Sequence, residues 1–214
     1  MSPFWSLVRR DLRLAWSGGL WLPVVFFLLV AILYPFGVGP DAKLLARTGG
    51  GVLWVAALLA ALLPVDRLIQ PDAEQGVLDQ LAVRGISDET VASAKLLAHW
   101  LSFGPPLMLA AIPAAALVRI DGDTLWRLEA GLALGTPALA ALGLLVASLT
   151  AGLPRAGALA GLLMLPLAVP VLIFGAGSLA PGSGAAIKLL AASSLFIVAL
   201  VPFAAGAAIR AGRR

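Results

Sequence analysis

The sequence contains no cysteine and few side chains that could carry out chemistry. It has one histidine, and only 12% of its 214 residues are charged. The lack of cysteine excludes disulfide bonds, thiolate metal sites and cysteine nucleophiles. With one histidine and no cysteine, the familiar catalytic triads and metal-ligand sets are also missing, because they need a base beside a nucleophile or several ligands together.

Motifs for nucleotide and metal chemistry are missing as well. No Gly-x-x-x-x-Gly-Lys-[Ser/Thr] phosphate-binding loop occurs, so any ATP used with this protein must be hydrolysed by another chain. The run Asp121-Gly122-Asp123 lacks the further carboxylates that a metal-dependent membrane transferase needs. We therefore expect a non-catalytic chain with no metal site and no directly bound cofactor. Its basic residues lie beside apolar segments, which predicts contact with membrane lipids and not with nucleic acid.

Long apolar runs dominate what is present. Hydrophobic residues make up 61% of the chain and the mean hydropathy is +1.00, whereas soluble domains are roughly 45 to 50% apolar. The runs are long enough to cross a hydrocarbon core about 30 Å thick. We predict an all-α integral membrane protein, a single transmembrane domain over residues 1–214. Its six transmembrane helices should lie at about 20–39, 50–65, 96–118, 130–153, 156–180 and 189–209.

Residues 3–17, before the first span, have an amphipathic pattern. Apolar residues recur at helical spacing and three arginines fall on the other side. The apolar set is Trp5, Val8, Leu12, Ala15 and Trp16, and the basic set is Arg9, Arg10 and Arg13. This pattern predicts a helix that lies at the membrane interface.

Basic residues are distributed unevenly between the two sides that these spans define. With the N-terminus inside, the inner segments hold Arg9, Arg10, Arg13, Arg67, Arg84, Lys95, Arg155, Arg210, Arg213 and Arg214. The outer segments hold only Lys43, Arg47, Arg119, Arg127 and Lys188. Because cytoplasmic segments carry the excess of Lys and Arg, the twofold bias predicts that both termini are cytoplasmic.

Proline and glycine are frequent within the predicted spans. The prolines are Pro23, Pro35, Pro105, Pro106, Pro113, Pro137, Pro166, Pro170 and Pro202. Each removes a backbone donor, which predicts a kink or a break in its helix. Gly131-x-x-x-Gly135 and Gly157-x-x-x-Gly161 permit close helix contacts, and we interpret both as helix packing and not as a defined dimer seam.

The long inner connection, residues 66–95, carries six of the eleven acidic residues. Four apolar residues fall on one helical face, which predicts a short amphipathic helix outside the bilayer. These are Val77, Leu78, Leu81 and Ala82, with Glu74, Asp79 and Gln80 on the polar side. Gly76 permits a tight turn before this helix, Gly85 can end it, and Ser87 can start the next helix. Such a helix either docks into a groove on a soluble partner or simply lies on the membrane.

Four further residues near the inner end of the spans are candidates. His99, beside Trp100, could ligate an iron-containing group as a neutral imidazole. A partner or gating contact for His99 and Trp100 is the interpretation that we favour over ligation, and ordinary helix packing is the alternative. Asp66 and Arg67 either pair as a clamp at the helix end or orient the connection.

The order of these features resembles the ABC-2 class of ATP-binding-cassette permeases. The shared features are an interfacial N-terminal helix, two spans, a cytoplasmic loop with an acidic-Gly turn and a Leu-rich helix, and then four spans, the first of which has a lysine at its start. In that class the loop is the coupling helix, which receives movement from the ATPase. The resemblance therefore implies an ATPase-coupling role for Asp66, Arg67, Glu74, Gly76, Val77, Leu78, Leu81 and Lys95.

Nearly the whole chain also resembles the CcmB family, a membrane component of the haem-handling ABC complex in cytochrome c maturation. The residues that carry this resemblance are Tyr34 to Pro40, Leu44 to Arg47, Trp54 to Leu59, Asp66 to Leu68, Lys95 with Ala98-His99-Trp100, Gly135-Thr136-Pro137, Leu165-Pro166-Leu167, Pro170 to Phe174, and Pro202 to Ala205. The chain departs from the family at Val83-Arg84-Gly85-Ile86, where members usually carry a proline-containing apolar stretch.

The resemblance implies a permease half in the bacterial inner membrane that dimerises with a second copy of itself. It implies an ATPase subunit at the cytoplasmic face, which binds the ATP, a second haem-handling membrane subunit, and a periplasmic haem chaperone. Haem would be the substrate, either exported through this chain or released with the loaded chaperone, and the scarcity of haem ligands favours release. The alternatives are an exporter of a drug or glycan, a membrane-embedded lipid-modifying enzyme, and a passive scaffold.

Overall fold

Helices make up nearly all of the chain that the computed structural model describes, which is residues 2–17, 21–153 and 156–213. They are α1 (Pro3–Ser17), α2 (Trp21–Val38), α3 (Ala42–Leu62), α4 (Gln70–Glu74), α5 (Val77–Val83), α6 (Asp88–Leu117), α7 (Gly122–Thr150), α8 (Ala156–Gly177) and α9 (Gly184–Gly212). A 3-10 turn, Val65–Arg67, lies between α3 and α4. These described ranges contain no strand. The predicted all-α class is confirmed.

Six stretches of helix in the described ranges are long and apolar enough to cross a membrane, which confirms the predicted number of spans. They contain α2, α3, α6, α7, α8 and α9. Three of these helices begin at Ala42, Asp88 and Gly122, about two turns before the predicted starts of their spans at 50, 96 and 130. In each case the preceding residue is an N-cap whose side-chain oxygen accepts a backbone N–H, so a polar first turn forms ahead of the apolar core.

Helix α7 lies at the centre of the bundle and is the most buried of the six spans. It packs against α3, α6, α8 and α9. The fully buried indole of Trp54 fits among Gly131 and Gly135 on α7 and Gly175 on α8, where a Cβ atom at Gly175 would lie 2.6 Å from Trp54 Cζ2. The first Gly-x-x-x-Gly pair therefore serves helix packing, as predicted.

The second Gly-x-x-x-Gly pair behaves differently. A Cβ atom at Gly157 or Gly161 would meet nothing within 4 Å in the described chain. The prediction that this pair packs helices is therefore wrong within these residues, because the pair lies on an outward face of α8.

The internal prolines do not break the helices. Helices α2, α6, α7, α8 and α9 each continue through at least one of them. In a membrane bundle the freed carbonyls find partners on neighbouring helices or in local adjustments of the turn. Pro23 lies in the first turn of α2, where the missing N–H would have no helical partner anyway.

Helix α1 forms over the predicted residues, but its apolar side chains do not share one environment. Leu7 and Val8 are buried, and α1 packs on α6. Trp5 and Trp16 remain exposed on another side. The predicted single apolar face is therefore divided between a protein contact and an open surface. Arg9 and Arg13 lie beside the exposed tryptophans on that open surface and not opposite them, since all four are exposed and share one side at helical spacing.

Candidate coupling site at one end of the bundle

The connection between α3 and α6, called here the connecting segment (residues 63–87), holds the 3-10 turn and the short helices α4 and α5. Gly76 has a φ of +67° at the start of α5 and Gly85 has a φ of +75° just after its end. Only glycine adopts this left-handed conformation without strain. The Ser87 hydroxyl accepts the N–H of Thr90 and begins α6. The short helix thus forms where the sequence predicts it.

Most of the predicted apolar face of α5 turns inward, although Ala82 is exposed. Leu78 is 5% exposed and Leu81 is 8% exposed, and both belong to the main hydrophobic core. Their expected role as the surface that docks a partner is therefore corrected, because burying them against this chain already removes them from water. In this conformation they anchor the connecting segment to the bundle. Val77 is only partly exposed and packs on the same core.

The opposite side of the connecting segment is open. Val83 is 89% exposed, and Glu74, Asp79, Gln80 and Arg84 around it are also exposed. The Glu74 carboxylate accepts a hydrogen bond of 2.8 Å from Gln70 Nε2 within α4. This outer face (Glu74, Asp79, Gln80, Val83 and Arg84) combines one bare apolar side chain with charges of both signs, two of them acidic.

One ion cluster fastens the connecting segment to α1 and α6. This α1 cluster consists of Arg10, Asp11, Asp72 and Lys95. Lys95 Nζ lies 2.5 Å from an Asp72 carboxylate oxygen and 3.2 Å from Asp11 Oδ2. Arg10 pairs with Asp72 and, at 2.8 Å, with Asp11. The Lys95 side chain is 7% exposed, so its charge depends on these carboxylates rather than on water.

A second ion cluster fastens the start of α6, directly after the connecting segment, to the end of α9. This α9 cluster consists of Asp88, Glu89, Arg210 and Arg213. The Arg213 guanidinium donates two hydrogen bonds, of 2.6 and 2.5 Å, to the buried Asp88 carboxylate and a third, of 3.5 Å, to the Leu78 carbonyl. Arg210 Nη2 donates to Glu89 at 2.7 Å. Arg213 therefore connects α9 to α5 and to the start of α6 at once.

A cavity of about 320 Å³ lies behind the α1 cluster. The four residues of that cluster form part of its wall, and Arg67 adds a further positive charge. Leu14, Pro23 and Phe103 give it an apolar side. The cavity lies where α1, α6 and the connecting segment meet, and a change in the position of any of them alters its shape.

His99 lines this cavity, but its Nε2 atom is packed against α7. A Cβ atom at Gly143 would lie 3.4 Å from His99 Nε2 and 3.2 Å from Val65 Cγ2. The imidazole also lies 4.9 Å from the Phe103 ring, measured between ring centroids. Nε2 is buried and has no hydrogen-bond partner in the described chain. With α7 this close, a haem plane has no room to approach Nε2, which favours packing over iron ligation.

The other predicted residues lie around the same end of the bundle. Trp100 Nε1 donates to Thr136 Oγ1 at 3.1 Å and thereby ties α6 to α7. Asp66 and Arg67 are exposed on the 3-10 turn at the root of the connecting segment. The structure thus brings Lys95, Arg67 and His99 to one cavity, whereas Glu74 lies on the outer face.

Sequence reasoning missed seven of the eight residues in the two ion clusters, all except Lys95. They are Arg10, Asp11, Asp72, Asp88, Glu89, Arg210 and Arg213. In the sequence, Asp72 and Asp88 stand out only as acidic residues of the inner connection, and Arg10 only as one basic residue among those of α1 and of the inner side. The available signal was complementary charge at the same predicted membrane side, but charge alone does not say which residues pair.

Within the described ranges, no three His, Cys, Asp or Glu side chains are grouped so that they could hold a metal ion. The fold and this site define a class: a multi-pass α-helical membrane protein of the permease type, with a short helical connection clamped at one end of the bundle.

The chain belongs to the CcmB family. The family model described as "CcmB protein" matches residues 2–212. The protein named heme exporter protein B of Rhodobacter capsulatus is 50% identical over 216 residues, covering 98% of this chain and 99% of that protein. The proteins of the same name from Paracoccus denitrificans and Haemophilus influenzae are 47% and 40% identical, covering 98% and 97% of this chain and 99% and 97% of those proteins. The predicted family is confirmed.

Proposed function

We propose that this chain is the membrane subunit of an ABC complex that handles haem during c-type cytochrome maturation. It lies in a bacterial inner membrane with both termini in the cytoplasm. The relatives named heme exporter protein B support the haem-handling role, since they match almost the full length of the chain. An ATPase subunit supplies the hydrolysis for which this sequence has no phosphate-binding loop.

The connecting segment receives the movement of the ATPase through its outer face. The observation that carries this step is the contrast between the two faces of α5: Leu78 and Leu81 are buried, while Val83 is 89% exposed. An almost fully exposed valine beside Asp79 and Arg84 suits a small complementary groove on a partner. Because the inner face is anchored to the bundle, a push on the outer face displaces the helices and does not merely bend a loose loop.

Two output paths lead from the connecting segment into the membrane. The first runs through Asp72 to Lys95 on α6, and the second runs through the Leu78 carbonyl and Arg213 to α9. The first path consists of ion pairs, in which Asp72 contacts both Arg10 and Lys95. The second path reaches the connecting segment through one hydrogen bond of 3.5 Å to a neutral carbonyl, donated by an Arg213 that two further bonds hold to Asp88. Charged contacts with more than one donor or acceptor fix direction as well as distance, which is what transmission of a movement requires.

ATP hydrolysis is used to release haem-loaded chaperone and not to move haem through this chain. The placement of His99 supports this version, because Nε2 faces α7 at Gly143. A second haem-handling membrane subunit and a periplasmic haem chaperone then carry the haem, and a second copy of this chain completes the permease. An exporter of a drug or glycan is the alternative that shares the coupling step but not the haem partners.

The test compares Val83→Glu with Val38→Glu, which places the same substitution at an exposed valine near the other end of the bundle. Each variant is expressed with its neighbouring subunits and purified in mild detergent, and the bound proteins and haem absorbance are measured. We expect Val83→Glu to lose the ATPase while Val38→Glu retains it. Retention of the ATPase by both variants would contradict docking at the outer face, and an ATPase without any haem-binding subunit would favour the general exporter.

A further inference from the structure

Helix α1 carries a surface that nothing in the described chain covers. Trp5, Arg9, Arg13 and Trp16 follow one another at intervals of four, four and three residues, which places them on one side of a helix. All four are exposed, and Trp16 is 66% exposed. We call this surface the outer stripe. It faces away from Leu7, Val8 and Asp11, which lie on the side that packs toward α6 and the α1 cluster.

The three arginines of α1 differ in whether they form ion pairs with the rest of the protein. Arg10, one residue away from the stripe, pairs with Asp11 and Asp72. Arg9 and Arg13 form no ion pair within the described ranges, although the bundle supplies four carboxylates to other cations at this end. Each exposed guanidinium group can donate two parallel hydrogen bonds to a phosphate.

The position of α1 decides which phosphate is available. Only residues 18–20 separate α1 from α2, whose first residue, Trp21, is also exposed and begins a membrane span. Tryptophan is enriched where hydrocarbon meets headgroups. A stripe with arginines in the middle and tryptophan at each end therefore matches the chemistry of a membrane surface: phosphate oxygens beside an apolar layer.

We propose that the outer stripe of α1 binds the headgroups of anionic phospholipids in the leaflet at this end of the bundle. Arg9 and Arg13 contact the lipid phosphates, and Trp5 and Trp16 lie at the boundary of the acyl chains. Removing each arginine should weaken the preference for anionic lipid roughly fivefold, the usual contribution of one basic residue at a charged membrane surface. This binding does not depend on the proposed function.

A second step deepens the proposed function and rests on it. The same helix presents Asp11 to Lys95 on its inner side, and Arg10 to Asp72 of the connecting segment. A lipid-bound α1 therefore adds to the packing of Leu7 and Val8 in holding the α1 cluster in place. Coupling of ATP hydrolysis should consequently be more efficient when anionic lipid is present.

The absence of cysteine allows a direct test with the full chain. A nitroxide is attached at Ser6→Cys, an exposed position beside the stripe, and its mobility is recorded by EPR in vesicles of phosphatidylcholine alone or mixed equally with phosphatidylglycerol. The variants are Arg9→Gln with Arg13→Gln and, as a matched control, Lys43→Gln with Arg47→Gln, an exposed cation pair of the same spacing on α3. Unchanged thermal transitions establish that the variants fold.

Phosphatidylglycerol is expected to immobilise the label in the parent chain and in the α3 control, and to have no effect when Arg9 and Arg13 are replaced. High salt should reduce the immobilisation. The proposal is overturned if the label moves equally in both vesicles, if immobilisation survives loss of both arginines, or if inorganic phosphate added to phosphatidylcholine vesicles reproduces it. These measurements need no ATPase, so their failure is distinct from failure of the coupling role.

Discussion

The two ends of the helix bundle are built by different means. At the end that carries the connecting segment, two clusters of ion pairs join α1, α4, α6 and α9. At the opposite end the links are short, and Asp41 and Asp121 use their carboxylates to cap the helices that follow them. All ion pairs found in the described ranges belong to the first end.

The contrast between ion pairs at one end and helix caps at the other shows where the helices are held in a fixed orientation relative to one another. A cap satisfies the N–H groups of its own helix and does not orient a neighbouring helix. At the end with the caps, neighbouring elements are positioned by apolar packing and by single hydrogen bonds, Tyr34 with Thr48 and Arg127 with the Leu179 carbonyl. An ion pair between elements fixes their relative direction, and it is costly to break when it is buried. The end with the connecting segment therefore uses its charges for alignment between elements, which is what a surface that transmits movement needs.

The largest effect should come from the α1 cluster. Asp72→Asn leaves the buried Lys95 with only Asp11 as a counter-charge, and we expect the free energy of unfolding to fall by about 3 kcal/mol. The measurement is thermal unfolding in detergent, followed by circular dichroism. The double variant Asp72→Asn, Lys95→Met removes both charges and should recover part of the loss. A double variant as unstable as Asp72→Asn alone would show that the pair is not the cause.

An intermediate effect is expected at the α9 cluster. Arg213→Gln removes the paired donors from the buried Asp88 carboxylate and the contact with the Leu78 carbonyl, which should cost about 2 kcal/mol. Hydrogen exchange of the α5 amides should accelerate, because the segment loses its link to α9. Arg210→Gln is the control, since Arg210 contacts Glu89 at 2.7 Å and Asp88 at 3.7 Å, whereas the hydrogen bond to Leu78 of α5 comes from Arg213. It should leave α5 exchange unchanged. Equal exchange in both variants would refute the link from α9 to α5.

The smallest effect is expected at the opposite end. Asp41→Ala removes the oxygen that accepts the N–H groups of Lys43 and Leu44, at 2.9 and 3.2 Å, and should lower the free energy of unfolding by about 1 kcal/mol. Exchange should increase only in the first turn of α3, and binding of an ATPase should be unaffected. If Asp41→Ala released the ATPase, the two ends could not be assigned separate roles.

Hydropathy and local patterns were sufficient to predict the spans and the helix within the connecting segment. Ser87 and Gly85 are local signals, and they mark the true start of α6 and the true end of α5. The direction in which α5 faces could not be predicted, because an amphipathic helix has the same pattern whether its apolar face meets a partner or its own bundle. Burial of Leu78 settles that question in favour of the bundle.

The ion clusters were beyond sequence reasoning for a different reason. Asp11 and Lys95 are separated by 84 positions, and Asp88 and Arg213 by 125. Which basic residue pairs with which carboxylate depends on the packing of α1 and α9 against α6, and this packing is set by apolar contacts spread over whole helices. Arg9, Arg10 and Arg13 look alike in the sequence, yet within the residues that the structure describes only Arg10 of the three joins an ion cluster.

Gly143 has a consequence for rates. The root of the connecting segment, at Val65, and the imidazole of His99 both pass close to this residue of α7, where even one added methyl group would lie 3.2 and 3.4 Å from them. Because Gly143 has no side chain, Val65 and His99 can shift along α7 at this point without first moving away from it. In the proposed coupling step, Gly143 should therefore lower the barrier to movement of these two neighbours and so increase its rate.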